Sequence, residues 1–132
     1  MSEEFKIEIV NPEKSFISKD NVTEVVVPAY EGEMGILKDH ISIISFLKPG
    51  IIKIYSKNDE EKFFLEDGIL EFKNNILSIL TSSIYDLKKF DKSKVDESIK
   101  EAEKQLENSE IDDQKRFLID QKIDVLKSIS IN

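Results

Sequence analysis

The hydrophobic period of the chain changes about two-thirds of the way along. Phe5, Ile7 and Ile9 alternate with Lys6 and Glu8, a period of two that turns one side of an extended segment to a core and the other outward. Short β-branched or aromatic runs follow at Phe16-Ile17, Val22 to Val27, Ile41 to Leu47, Ile51 to Tyr55, Lys62 to Leu65, Ile69 to Phe72 and Ile76 to Leu80. Between them lie Asn11-Pro12, Asp20-Asn21, Pro49-Gly50, Asn58-Asp59, Asp67-Gly68 and Asn74-Asn75. Proline pre-sets φ for a turn, and glycine and asparagine tolerate positive φ, so each pair predicts a reversal. Many short strands spaced by roughly 8 to 12 residues predict a sandwich or barrel.

Beyond Phe90-Asp91 the period becomes helical. Val95, Ile99, Ala102 and Leu106 form one apolar stripe. Ser93 with Asp96 reads as a capping box, with Asp91 an equal candidate for the cap. Asn108-Ser109-Glu110 interrupts the pattern, and Asp112 can cap a second helix whose wider face carries Leu118, Ile119, Ile123, Val125, Leu126 and Ile129. All 4 glycines and 3 prolines lie between Pro12 and Gly68, so nothing breaks this tail strongly. The chain thus reads as α+β by segregation: an N-terminal all-β sandwich of about eight to ten strands in residues 1–89, then a C-terminal antiparallel two-helix hairpin in residues 90–132. Two amphipathic helices alone leave much of their apolar surface in water. The hairpin therefore needs a surface to dock on, and a weakly docked hairpin is a movable element.

Charge narrows the partners. With 27 acidic against 19 basic residues the net charge is -8, which disfavours nucleic acid and anionic lipid, since both need a cationic face. Cysteine is absent and His40 is the single histidine, so disulfides, thiolate sites and multi-histidine metal sites are excluded. The start Met1-Ser2-Glu3-Glu4 is acidic and lacks the basic-then-apolar run of a secretory leader. No apolar run approaches the roughly 20 residues that span a bilayer. These features predict a soluble intracellular chain without direct membrane insertion.

Catalytic chemistry is scarce. Asp39 and His40 are adjacent, and on a strand they would face opposite ways, which disfavours an acid–base pair. Neither a G-x-S-x-G elbow nor a phosphate-binding glycine loop occurs. The carboxylates Asp59-Glu60-Glu61, Glu66-Asp67 and Asp112-Asp113 read as solvated turn or helix-start acids without calcium-loop spacing. No cofactor and no catalytic residue are expected. What stands out is Glu31-Gly32-Glu33-Met34-Gly35-Ile36-Leu37 with His40: two glycines among acids predict a strained, exposed loop entering a short strand, suited to polar or basic loops of a partner.

In this order and spacing, Phe5-Lys6-Ile7-Glu8-Ile9-Val10 with Pro12-Glu13, Val25 to Pro28, the Glu31–Leu37 block with His40, Leu47-Lys48-Pro49-Gly50 and Gly68-Ile69-Leu70-Glu71-Phe72 resemble the epsilon subunit of F-type ATP synthases. The resemblance runs from Phe5 to about Leu87 and more loosely to the end. It implies a non-catalytic rotor subunit of the central stalk, peripheral on the cytoplasmic side of a bacterial inner membrane, that couples proton-driven c-ring rotation to ATP synthesis. It also implies partners: the gamma subunit, the c-ring, and the catalytic alpha and beta subunits, which the hairpin reaches when it inhibits hydrolysis. Glu31, Gly32, Glu33 and Met34 align with the ring-contacting loop, and His40 falls near the rotor interface. Two departures stand against that pattern. Lys38-Asp39 replaces a Pro-Gly common before the histidine, which should alter the turn. Where some relatives carry an ATP-binding I/L-D-x-x-R-A motif, this chain has Phe90-Asp91-Lys92-Ser93-Lys94-Val95. Lysine does not reproduce the planar fork of arginine, so ATP binding is not expected. Two other readings stay open: a stand-alone β-sandwich ligand-binding module with a helical dimerisation tail and a pocket at Tyr55, Phe63 and Phe64, and an enzyme using Asp39 and His40.

Overall fold

The computed structural model describes residues 3–12, 14–89 and 91–131. Met1, Ser2, Glu13, Phe90 and Asn132 lie outside the described residues, and with them part of the acidic start, one residue of the family match and the first residue of the expected hairpin. Nine strands come first: β1 (Phe5–Asn11), β2 (Lys14–Ala29), β3 (Gly32–Ile36), β4 (Ile43–Leu47), β5 (Gly50–Ser56), β6 (Asp59–Leu65), β7 (Gly68–Lys73), β8 (Ile76–Leu80) and β9 (Ile84–Asp86). Two helices follow, α1 (Lys92–Leu106) and α2 (Asp113–Ile131). The α+β segregation read from the periodicity is the observed one.

Strand β2 organises the sandwich. Its first part pairs antiparallel with β1 from Asn11↔Lys14 to Phe5↔Val22, and its second pairs with β5 and β3, meeting β4 at Ala29↔Leu47. β1 continues in parallel to β8, then β7 and β4, while β5 continues to β6 and β9. Between the two halves sits one core. Ile7, Ile9, Val22, Val25, Ile36, Ile52, Leu70 and Leu77 are wholly enclosed there, and Phe5 meets Phe72 edge to face at 5.6 Å.

Several expectations are corrected. Asp20-Asn21 is no turn: both residues lie inside β2, where the pairing shifts from Ile7↔Lys19 to Phe5↔Val22. One extra residue on β2 is absorbed as a bulge, which bends a strand without reversing it. β9, only three residues long, gave no periodic signal. Phe63 and Phe64 do not line a pocket. Phe63 points into the sandwich core and Phe64, one residue on, points the other way into a second core with Val95 and Leu126. The acids of Asp59–Glu61 are strand residues of β6: Lys19 Nζ reaches Glu61 at 2.7 Å and Asp59 at 3.6 Å. That hydrogen bond to Glu61 raises the Lys19 pKa, against the lowering effect of burial.

The hairpin has its own grammar. Asp91, not Ser93, caps α1: its Oδ1 accepts from Lys94 N–H at 2.9 Å and from the Ser93 hydroxyl at 2.8 Å. These two donors, the backbone one first, hold the Asp91 carboxyl below its usual range. Asp112 caps α2 by accepting from Lys115 N–H at 2.7 Å. Between the helices Ala102, Ile119 and Ile123 are buried together, flanked by Leu106 and Ile111. Docking on the sandwich uses Phe64 against Val95 and Leu126, with Leu87, Ile99, Val125 and Ile129 around them. Lys122 adds a 2.6 Å ion pair with Glu66 at the end of β6. Val95, which stands where the nucleotide motif has alanine, is therefore a core residue of this junction.

Among the glycines, Gly50 makes the closest approach to a neighbour. A Cβ there would lie 2.5 Å from Pro28 Cβ and 2.8 Å from Pro28 Cγ, and the proline ring cannot swing aside. Gly50→Ala is expected to lose about 1–3 kcal/mol by overpacking, read from the urea midpoint at an unchanged m-value. An unshifted midpoint would mean that β2 and β5 part freely at this point.

Candidate functional site

Ala29 pairs with Gly32, so Tyr30 and Glu31 are the tip of the β2–β3 hairpin. Gly32 has φ +136 with nothing within 4 Å of a Cβ position. Backbone conformation, and not space, requires glycine there. Only this one glycine is strained. Gly35 lies in β3 opposite Val26 without positive φ, so the strain expected of both belongs to Gly32. Glu31 and Glu33 are exposed, while Met34 turns inward against the sandwich core.

His40 does not join this group. It sits at the far end of β3, in the turn before β4, while Glu31 and Gly32 sit at the near end. Its backbone N–H closes on the Leu37 carbonyl at 3.1 Å, its Nδ1 is 2.8 Å from the Ile41 carbonyl, and its ring meets Phe72 edge to face at 5.9 Å. Asp39 turns to another partner: its Oδ1 accepts from Asn75 Nδ2 at 3.0 Å and its N–H donates to Asn75 Oδ1 at 2.7 Å. Neither residue lies on a strand, and they face different neighbours, which leaves the acid–base reading without geometry. With φ 66, Asp39 holds the left-handed third position of the turn, the place a Pro-Gly turn gives to glycine. The Lys38-Asp39 departure thus keeps a left-handed turn and clamps it to the β7–β8 hairpin.

The remaining acids have structural work: Asp67 accepts from Ser82 Oγ at 2.9 Å, and its carbonyl accepts from the buried Thr81 hydroxyl at 2.6 Å. Among the described residues no group of three or more His, Asp or Glu side chains could hold a metal, and no helix is long and apolar enough to cross a membrane.

Sequence reasoning missed an apolar row on the outer sheet face. Phe46, Ile69 and Leu80 are neighbours across β4, β7 and β8, 63%, 44% and 48% exposed, and Val10 of β1 continues the row. Ile44 extends it along β4 at 71% exposure. The signal was Ile43-Ile44-Ser45-Phe46-Leu47, apolar on both parities, as strands covered on two faces are. Beside the row opens a cleft of about 820 Å³ whose walls include Tyr30, Glu31, Glu33, Met34, Phe46 and, from the hairpin, Gln114.

A β-sandwich followed by a docked helical pair is the architecture of the delta/epsilon class of ATP synthase chains. The model of the ATP synthase delta/epsilon chain β-sandwich domain matches residues 4–86. Relatives extend the likeness to the hairpin: the ATP synthase epsilon chain of Pelagibacter ubique is 69% identical over 130 residues, covering 98% of this chain and 100% of its own. The sodium-ion-specific ATP synthase epsilon chain of Propionigenium modestum is 35% identical over 99 residues, 75% of this chain and 69% of its own. The chain belongs to the epsilon-subunit family of F-type ATP synthases. Its fold is also that of a chain in the mitochondrial ATP synthase (OSCP/F1/c-ring) of Euglena gracilis, with TM-score 0.76 at 16% identity over 99% of this chain and 82% of that one.

Proposed function

We propose that the chain is a non-catalytic rotor subunit of the central stalk, held peripherally on the cytoplasmic side of a bacterial inner membrane. It couples proton-driven rotation of the c-ring to ATP synthesis by gripping gamma and the ring at once. The observation that carries this is the placement of two unlike surfaces on one rigid sandwich. The Phe46–Ile69–Leu80 row offers apolar area to gamma, and His40, in the turn before β4, joins the rotor interface. The Glu31–Met34 turn offers carboxylates to the ring's polar loops, where charge sets register and encounter more than affinity. Family likeness also supports the hairpin as an arm that reaches the catalytic subunits and slows hydrolysis when released, and its narrow attachment through Phe64 and the Lys122–Glu66 pair suits that role.

Glu33→Lys tests the ring-facing turn. It is expected to weaken ring assembly about tenfold, a cost of about 1.4 kcal/mol, with the loss reduced at high salt. The proper comparison is Glu103→Lys, an exposed acid on α1. Glu61→Lys would break the Lys19 bridge between β2 and β6 and so confound folding with docking. Equal pull-down of ring by the two variants at matched salt would remove the turn from the interface.

A further inference from the structure

The acidic turn belongs to the sandwich, yet the cleft beside it takes one wall residue from the hairpin. Gln114, in the first turn of α2, is exposed and lines the same space as Tyr30, Glu31 and Glu33. Three points along α2 explain how it gets there. Leu126 rests on Phe64, Lys122 pairs with Glu66 at 2.6 Å, and Gln114 lies eight residues earlier, about 12 Å further along the helix. The end of β6, where Glu66 sits, and the end of β2, where the turn sits, are at the same end of the sandwich. The helix therefore delivers its start to the turn only while it is docked.

The lining also selects its occupant. Tyr30 and Met34 supply apolar area, Ile44 and Phe46 mark the border with the gamma-facing row, Glu31 and Glu33 supply negative charge, and no lysine, arginine or histidine is among the lining residues. Asp112 and Asp113 stand next to Gln114. On the same turn Arg116 points away, donating from Nη1 to the Leu106 carbonyl of α1 at 3.2 Å. We infer that this cleft is a composite seat for a cationic polypeptide loop of a partner, completed by the docked hairpin, so that filling it and docking α2 reinforce each other. The inference rests on the ring-facing reading of the turn and adds regulation to it. A loop that touches both walls binds the docked form better, and by linkage its binding shifts the hairpin toward docking by the same factor.

The test uses ring purified in detergent micelles, added to the complex of the full-length chain with gamma. Amide exchange is expected to slow both at residues 30–34 and in the first turn of α2, residues 113–117. Phe64→Ala, which undocks the hairpin and leaves the sandwich wall of the cleft intact, is expected to lower ring affinity about fivefold, the low end of ordinary coupling, with Phe64→Leu restoring most of it. Circular dichroism of each variant checks that the helices persist. Protection confined to residues 30–34, or unchanged affinity of folded Phe64→Ala, overturns the composite seat and leaves the ring-facing turn standing. No protection at residues 30–34 removes both.

Discussion

Phe64→Ala is expected to detach the helical hairpin while the sandwich stays folded. Phe64 is 1% exposed and is the sandwich residue fully enclosed between the two parts, against Val95 and Leu126. Removing a buried phenylalanine ordinarily costs about 3–5 kcal/mol in transfer and cavity terms. Here the loss falls on one junction, because Phe63 beside it faces the separate sandwich core. What remains is the partly buried packing of Leu87 and the ion pair of Lys122 with Glu66, which together bury far less apolar surface than the lost ring did. The measurement is limited proteolysis with amide exchange. Residues 92–131 should become cleavable and exchange rapidly, while the amides of β2 and β5 stay protected. Assembled with the catalytic head, the same variant is expected to hydrolyse ATP more slowly, since the released hairpin is the inhibitory form in the proposed role. Global unfolding would show that sandwich and hairpin are one cooperative unit, and unchanged hydrolysis would leave the hairpin a structural tail.

Phe46→Asp is expected to have the opposite profile, sparing stability and abolishing association. The ring of Phe46 is 63% exposed, so its loss leaves no cavity. In an interface it would be an aromatic anchor, beside Ile69 and Leu80, and such anchors cost about 2 kcal/mol or more when lost, roughly thirtyfold in affinity. A buried carboxylate without a partner adds to that cost. Binding of gamma, measured by titration with the purified subunit, should fall at least that far while the melting temperature is unchanged. Phe117→Asp, the same exchange at an exposed site of α2, should bind as the wild type does. Equal binding by the two variants would mean that gamma lies elsewhere.

The sequence made the architecture legible wherever a local rule coincided with the tertiary outcome. Phe5, Ile7 and Ile9 alternate because one face of β1 is in the core, and Val95 to Leu106 keep helical spacing because one face of α1 is. Asp20-Asn21 misled because turn propensity is local, whereas the bulge that absorbs those residues depends on the register with Phe5 and Ile7, distant in sequence. Glu61 misled for a similar reason: it reads as solvated until a cation from another strand, Lys19, is placed beside it, while Asp59 and Glu60 stay exposed. For the candidate site, the glycine turn was visible as residue types. Its separation from His40 followed only from the length of β3. The outward apolar row left a trace only within β4, where apolar residues fall on both parities, and only pairing across β4, β7 and β8 makes its members neighbours. Gln114 carried no signal at all; its place depends on how α2 lies on β6.

Strand β2 has a mechanical consequence. It runs without interruption from Lys14 to Ala29, and the acidic turn is attached to its end. Ladder hydrogen bonds stand perpendicular to their strands, so a tug on Tyr30 or Glu31 directed along β2 strains the bonds to β1 and β5 sideways and all together. Peeling, in which such bonds fail one after another, would demand a force across the sheet. The turn is thus anchored like a lap joint and not like a zipper, and it can bear intermittent tangential load with little yielding of the body behind it.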